Sequence, residues 1–321
     1  MAQSGSYNHS TTRDTLIADA HLYIGAIGEG ETPSANQVTE AARMLNMIVK
    51  LRAADGMQAW ALRRGAILPF TGTNTINTNS HVVTAYETTT ISADEASGQT
   101  AISVTDGADF ADNDQIGIEL DNGDMHWTTI SSGGGTNTLT IASAITSAAA
   151  SGNMVYGYTA TSDRVQKPLR ILEANLLNIS SNARSTINIV SREEYYSLGN
   201  LTSEGTPNQL YYTIEPSSLV ALDTNGQISI YPRFSNGDQV IEFTYHRPFQ
   251  DFDASGDEPD FPQAFYLPLV LELACLLAPK FGIPMDERSR LMKEAQYYME
   301  QALWTVAPGN SVYIVPDRET E

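Results

Sequence analysis

Residues 251–262 read Asp-Phe-Asp-Ala-Ser-Gly-Asp-Glu-Pro-Asp-Phe-Pro, DFDASGDEPDFP, with five acids in the ten positions 251–260. The reading of this stretch decides how the chain is divided. Its first half has the D-x-D-x-S-G order of an EF-hand loop, which would make it a calcium site between two helices. Two features oppose that. Such a loop needs a bidentate Glu at its twelfth position, and Pro262 stands there. The preceding EFTYHRPFQ alternates like a strand, where an EF-hand has its entering helix. A looser calcium site on Asp251, Asp253 and Asp257 stays open, because clustered carboxylates attract cations. The other reading is an acidic hinge from the last strand into the first C-terminal helix. Asp260 is then expected to cap that helix, where negative charge is favourable, and Pro262 to begin its first turn.

Beyond the hinge, residues 263–278 are apolar nearly all round, as in a central helix, with Pro268 kinking it or sitting in its first turn. Phe265, Leu269 and Leu273 are its expected core positions. A second helix over 286–304 carries Leu291, Met292, Ala295, Met299 and Leu303 on one face. Residues 305–321 then form a C-terminal arm whose apolar piece, with Tyr313, Ile314 and Val315, lies between prolines. The longest apolar run, 267–278, is about 12 residues and contains Glu272, which is short and polar for a bilayer span.

The other end of the chain mirrors this one. Leu16, Ile17, Ala20, Ile24 and Ile27 predict a helix over 12–27. GEGETPS then breaks the chain, with Thr32 as the expected N-cap and Pro33 as the first residue of a helix over 33–55. Between these pairs the pattern is β. Residues 57–70 read as a strand and TGTNTINTNS as turns. Residues 88–159 form a separate unit of short strands joined by Gly and Asn turns, a small barrel or sandwich. KPLRILEANLLN, STINIVS, QLYYTI, GQISIYP and QVIEFTYHRP follow as strands, with REEYYSL a helical turn. The fold class is therefore α+β: a bundle of N- and C-terminal helices, a central sheet, and an inserted all-β module.

Charge narrows the function. The net −20 comes from two blocks: residues 65–163 hold eleven acids and no Lys or Arg, and residues 250–321 hold thirteen acids against five basic residues. Phosphate binding runs on Lys and Arg, so ordinary DNA binding is not expected. A polar N-terminus without a secretory pattern and a single cysteine, Cys275, point to synthesis in a cytoplasm. Cys275 itself reads as a buried thiol. The five histidines show no metal-ligand spacing, and no G-x-S-x-G elbow is present. GAIGEGE follows a helix and reads as its breaker, not as a phosphate loop. His21, inside a helix, reads as packed. Neither an enzyme nor a cofactor, metal ion included, is expected.

HRPFQDFDASGDEPDFPQAFYLPLVLELACLLAPKFG resembles the corresponding segment of the head-to-tail adaptors of tailed phages, the connector or head-completion family that includes packaged-DNA stabilisation proteins. Arg247, Pro248, Asp251, Phe252, Asp253, Asp257, Glu258, Pro259 and Pro262 carry the likeness. LYIGAIGEGETPSANQVTEAARMLNMIV, KPLRIL, SREEYYSL, GTPNQLYY and GQISIYP are similar in order. The likeness covers 1–87 and 160–321, and the 88–159 module departs from it. It implies a virion protein at the head–tail junction, made in the host cytoplasm, forming a ring of usually twelve copies. Its partners would be the portal protein, a tail or nozzle protein, and genomic DNA sliding past without specific binding; no membrane is implied. Tyr313, Ile314 and Val315 would be a portal-docking arm, with folding back on the subunit as the alternative, and Trp127 a partner contact on the module. Other readings are a phage tail or decoration protein with a calcium- or glycan-binding module, and a virion-associated cell-wall hydrolase.

Overall fold

The computed structural model describes residues 9–54, 61–165, 167–214 and 226–306. It is α+β, about 26% helix and 30% strand, with strongly curled, near-barrel β structure. Two compact units emerge: the chain ends, 1–61 with 249–321, and the β region, 62–248.

In the first unit, α1 spans Arg13–Tyr23 and α2 spans Ala35–Ala54. Helix α1 ends four residues before the expected position, because Gly25 adopts a left-handed φ of 65° and its N–H closes onto the Leu22 carbonyl. Ile24 is still buried. Helix α2 starts at Ala35, not Pro33: Ser34 and Gln37 form a reciprocal cap, with the Ser34 N–H donating to Gln37 Oε1 at 2.7 Å and the Gln37 N–H to Ser34 Oγ at 3.5 Å. Thr32 has no part in it. The C-terminal helix Tyr266–Leu277 packs against both.

The β unit opens with β1 (Leu62–Ile67), β2 (Thr75–Asn77) and β3 (Val82–Val83). The module follows as β4 (Glu87–Thr90), β5 (Ala101–Ser103), β6 (Gln115–Glu119), β7 (Met125–Ser132), β8 (Thr138–Ile141) and β9 (Met154–Tyr158). Then come β10 (Arg170–Asn178), β11 (Arg184–Ile189), α3 (Arg192–Tyr196), β12 (Glu204–Gly205), β13 (Gln209–Thr213), β14 (Gln227–Tyr231), β15 (Arg233–Phe234) and β16 (Gln239–His246). The main sheet has the order β2-β14-β13-β11-β10-β16-β1-β3. The module sheet has the order β4-β9-β6-β7-β8-β5. Its two edge strands meet just beyond their ends: the Ser92 N–H donates to Ser103 O and the Thr105 N–H to Thr90 O, both at 2.9 Å. That contact curls the sheet back on itself, which removes most of its open edge.

The module and the main sheet fall into one unit because they share a core. Ala66, Leu68, Val83 and Val240 of the main sheet cluster with Met125, Met154, Tyr156 and Tyr158 of the module. The module also has its own interior, with Ile102, Ile116, Ile118, Leu139 and Val155 fully buried.

The chain then returns to the helical unit through 251–262. A 3-10 turn, Gln263–Phe265, leads into α4 (Tyr266–Leu277); a second, Ala278–Phe281, leads out, and α5 spans Met285–Val306. Pro268 sits in the first turn of α4, where its missing N–H costs no helical bond. Together the turns and α4 make a continuous helical stretch, Gln263–Phe281, long and apolar enough by length and composition to cross a membrane, and half of it is buried. The N-cap residues of the two helical starts, Pro262 and Phe265, make no side-chain cap bond, and Asp260 Oδ2 accepts from the Gln250 N–H at 3.1 Å.

The acidic stretch is a clasp on the N-terminal helices. The first two N–H groups of α1, which have no partner within the helix, donate to Asp257 O at 2.8 Å and Ser255 O at 3.4 Å. Asn46 of α2 donates to Phe252 O at 3.1 Å and accepts from the Phe252 N–H at 2.9 Å. Lys50 pairs with Asp251 at 2.6 Å and donates to Phe249 O at 3.2 Å. Asp257 Oδ2 accepts the Asp253 and Ala254 N–H groups, each at 2.7 Å, and those bonds lower its pKa. Phe249, Phe252, Phe261 and Phe265 are all buried. Asn46→Ala removes both bonds to Phe252, and stability should fall by about 1–3 kcal/mol in a denaturant titration. An unchanged midpoint would show that the clasp contributes nothing.

Candidate interaction surfaces

The surface of the helical unit follows from how apolar α4 is. Helices α1, α2 and α5 all pack on it. Phe265, Leu269 and Leu273 are buried, with Ala274 and Leu277. A helix apolar all round should be covered all round, yet Leu267 and Leu276 remain exposed. Each lines a groove. One, about 660 Å³, lies between α1 and the start of α4 and is lined by Leu16, Leu22, Tyr23, Tyr266, Leu267 and Val270, among others. The other, about 490 Å³, lies between α2, α4 and α5, with Leu51, Leu276, Met292, Met299 and Leu303 among its lining residues. At about 100° per residue, the α4 residues of the two grooves lie on roughly opposite sides of the helix.

Helix α5 departs from its expected face in an informative way. Leu291, Ala295 and Met299 are buried, but Met292 is 68% exposed and Trp304 80%. Its apolar stripe is wider than α4 covers. The polar element of the second groove is Glu272, paired with Arg52 of α2 through both carboxylate oxygens, with Nε to Oε2 at 3.2 Å. This pairing explains a carboxylate inside an apolar helix. Cys275 also lines this groove and is partly buried; burial, then the Glu272 charge, raises its thiol pKa.

Trp127 lies in the seam between the module and the main sheet. Its Nε1–H donates to Pro69 O at 3.0 Å, and His81 stacks on its ring at 4.1 Å between centroids. The indole lies over Gly117, its cross-strand neighbour, where an added Cβ would come within 2.6 Å of the ring. Nearby, the Met125 N–H donates to Thr71 Oγ1 at 3.1 Å, and Tyr156 OH donates to Gly237 O at 2.5 Å. Glu119 accepts from the Gly237 N–H at 2.8 Å and the Met154 N–H at 3.1 Å. The seam is therefore bonded as well as packed.

The acids of the module serve its own backbone. Asp94 accepts from the Ser151 N–H, Glu95 from Ser103, Asp112 from Gly134 and Asp121 from Ala150, at 2.7–2.9 Å. Buried Asp114 accepts from the Ala111 N–H and the Thr159 hydroxyl. Among the described residues, no three His, Cys, Asp or Glu side chains group so as to hold a metal ion. His21 is fully buried, as expected of a packed residue, with Nδ1 2.8 Å from Ile17 O. Tyr313, Ile314 and Val315 lie outside the described residues.

No family model matches the chain, and no curated protein matches it.

His81 was not singled out as a titrating group by the sequence. Burial, then the charge of Arg164, lowers its pKa to about 4. The folded chain thus holds it neutral while the unfolded chain protonates it near 6.5. Its contribution to stability is present above about 6.5 and is lost as the pH falls towards about 4, a loss on the order of 3 kcal/mol. Because its φ is 55°, Asn is the substitution that tolerates the backbone. Urea titrations between pH 4 and 7 should show a steeper fall for the parent chain than for His81→Asn; equal slopes would exclude His81 as the source.

Proposed function

We propose that the chain is a structural subunit of a tailed-phage virion, a ring-forming head-to-tail adaptor that docks beneath the portal, joins the tail and leaves a channel for DNA. In this reading, the helices from both chain ends form a bundle around α4, and residues 62–248, with the barrel-like module, form the second compact unit. The observation that carries it is the pair of apolar grooves on opposite sides of α4. Two different apolar faces on one subunit, each able to take the other face of the next copy, make head-to-tail contacts, and such contacts close into rings when the rotation per subunit allows. The ordered resemblance along 1–87 and 160–321 supplies the place in the virion, with portal and tail proteins as partners. A wall without Lys or Arg suits a passage for DNA, since it offers phosphates no counter-charge.

The purified chain, mixed with the portal protein of the same virion, should assemble to a mass of portal plus a ring of subunits. Leu267→Glu and Met292→Glu each place a charge in one groove, and each should block the ring alone. An equimolar mixture should form a dimer through the one intact pair of faces. Sedimentation showing no assembly of the parent chain with portal would overturn the reading, as would full rings from both variants.

A further inference from the structure

We propose that the outer face of α5, carrying Lys293, Tyr297 and Trp304, seats in the groove between α1 and the start of α4 of the next copy, with Lys293 paired to that copy's Asp19. This deepens the adaptor reading and rests on it for the presence of a neighbouring copy.

Helical spacing sets the face. At about 100° per residue, positions 293, 297 and 304 lie within about 40° of one another and roughly opposite the buried Leu291, Ala295 and Met299. A water-facing helix side is expected to be polar, yet Tyr297 is 57% exposed and Trp304 80%. Trp and Tyr are the residue types that most often anchor a contact between proteins. Of the charged groups flanking these rings, Arg290 pairs with Glu287 and Glu294, and Glu300 accepts from Gln296 at 3.3 Å. Lys293 is exposed and, among the described residues, has no ion-pair or hydrogen-bond partner.

The groove matches that face in length, chemistry and charge. Its α1 wall runs from Leu16 to Tyr23, seven residues or about 10.5 Å, and the two rings, also seven residues apart, span the same distance. Leu22, Tyr23 and Leu267 are exposed along it, so apolar surface on both sides leaves water when the rings enter. Asp19 is the one carboxylate among the groove's described lining residues. It is exposed and likewise has no partner among the described residues. Lys293 stands one turn, about 6 Å, before Tyr297, a distance that its side chain spans, so its ammonium meets Asp19 while Tyr297 sits in the groove. One contact thus covers two exposed apolar patches and pairs two single charges.

Charge reversal tests the pairing, read by sedimentation of the full chain with the portal protein of the same virion. Asp19→Lys and Lys293→Asp each set like charges against each other across the contact, and each should raise the concentration for half assembly by about tenfold or more. An equimolar mixture of the two variants should recover the parent value, because each chain then meets an opposite charge at both of its faces. A pairing within one chain gives no such recovery. Both positions are exposed, so the urea midpoint of each free variant should match the parent's. Parent-like assembly of both single variants, or a mixture that recovers nothing, would overturn the contact and leave the adaptor reading standing. A parent chain that forms no assembly overturns both, whereas recovered complexes of only two chains keep the contact and overturn the ring.

Discussion

The helical unit depends on one constraint: the backbone of residues 249–257 is held by side chains and helix ends more than 190 positions away in sequence. The Thr12 side chain caps the Thr15 N–H of α1, and the Arg13 and Asp14 N–H groups take carbonyls from the 253–257 loop. The loop at 253–257 presents them because Asp257 folds the loop around its own carboxylate. Asn46 then locks the next backbone unit from the other side. The acids in this stretch are therefore not a pool of ligands. Asp257 shapes the loop so that its carbonyls reach α1, while the Asp251 carboxylate adds a long-range pair to Lys50.

The same principle governs the module. Its exposed acids accept N–H groups at turns where the strand ladders leave donors unsatisfied. A carboxylate is the stronger acceptor for this task, and charge-assisted bonds are shorter than neutral ones. Lys and Arg have no equivalent role, since they cannot accept. A small sheet built from many tight loops thus acquires acids without acquiring bases. The electrostatic character of residues 65–163 follows from local folding needs, and any effect on passing DNA would be a consequence of that architecture.

Much of the fold was legible because long strands and amphipathic helices carry periodic signals. Apolar residues alternate in β14 and through much of β16, and the core of α4 was visible as an apolar run whose one charge is Glu272. β2 was read as turn and β3 went unread, because TIN and VV are too short to show a period and are strands through their partners Ile228 and Ala66. Caps were misplaced where two residues compete: Ser34 won over Thr32 because Gln37 completes its box. The surface was half legible. Met292 and Leu276 belong to apolar patterns, and pattern alone assigns them to a core. Exposure depends on where the neighbouring helix stops, which no local window contains. The partner of Glu272, 220 positions away, was invisible for the same reason.

The Arg52–Glu272 pair gives the second groove a property that a purely apolar one would lack. Both side chains are mostly buried, at 25% and 13% exposure, so separating them would leave a costly charge in a low-dielectric setting. An occupant of the groove must therefore cover the pair without competing for it. A β-branched or aromatic side chain does that, whereas a carboxylate or an ammonium would break one partner away from the other. The apolar walls favour association in general, and the intact ion pair in the floor excludes charged occupants. For any occupant the groove were to take, selectivity would come from what the floor rejects, which is how a shallow apolar surface can discriminate among partners.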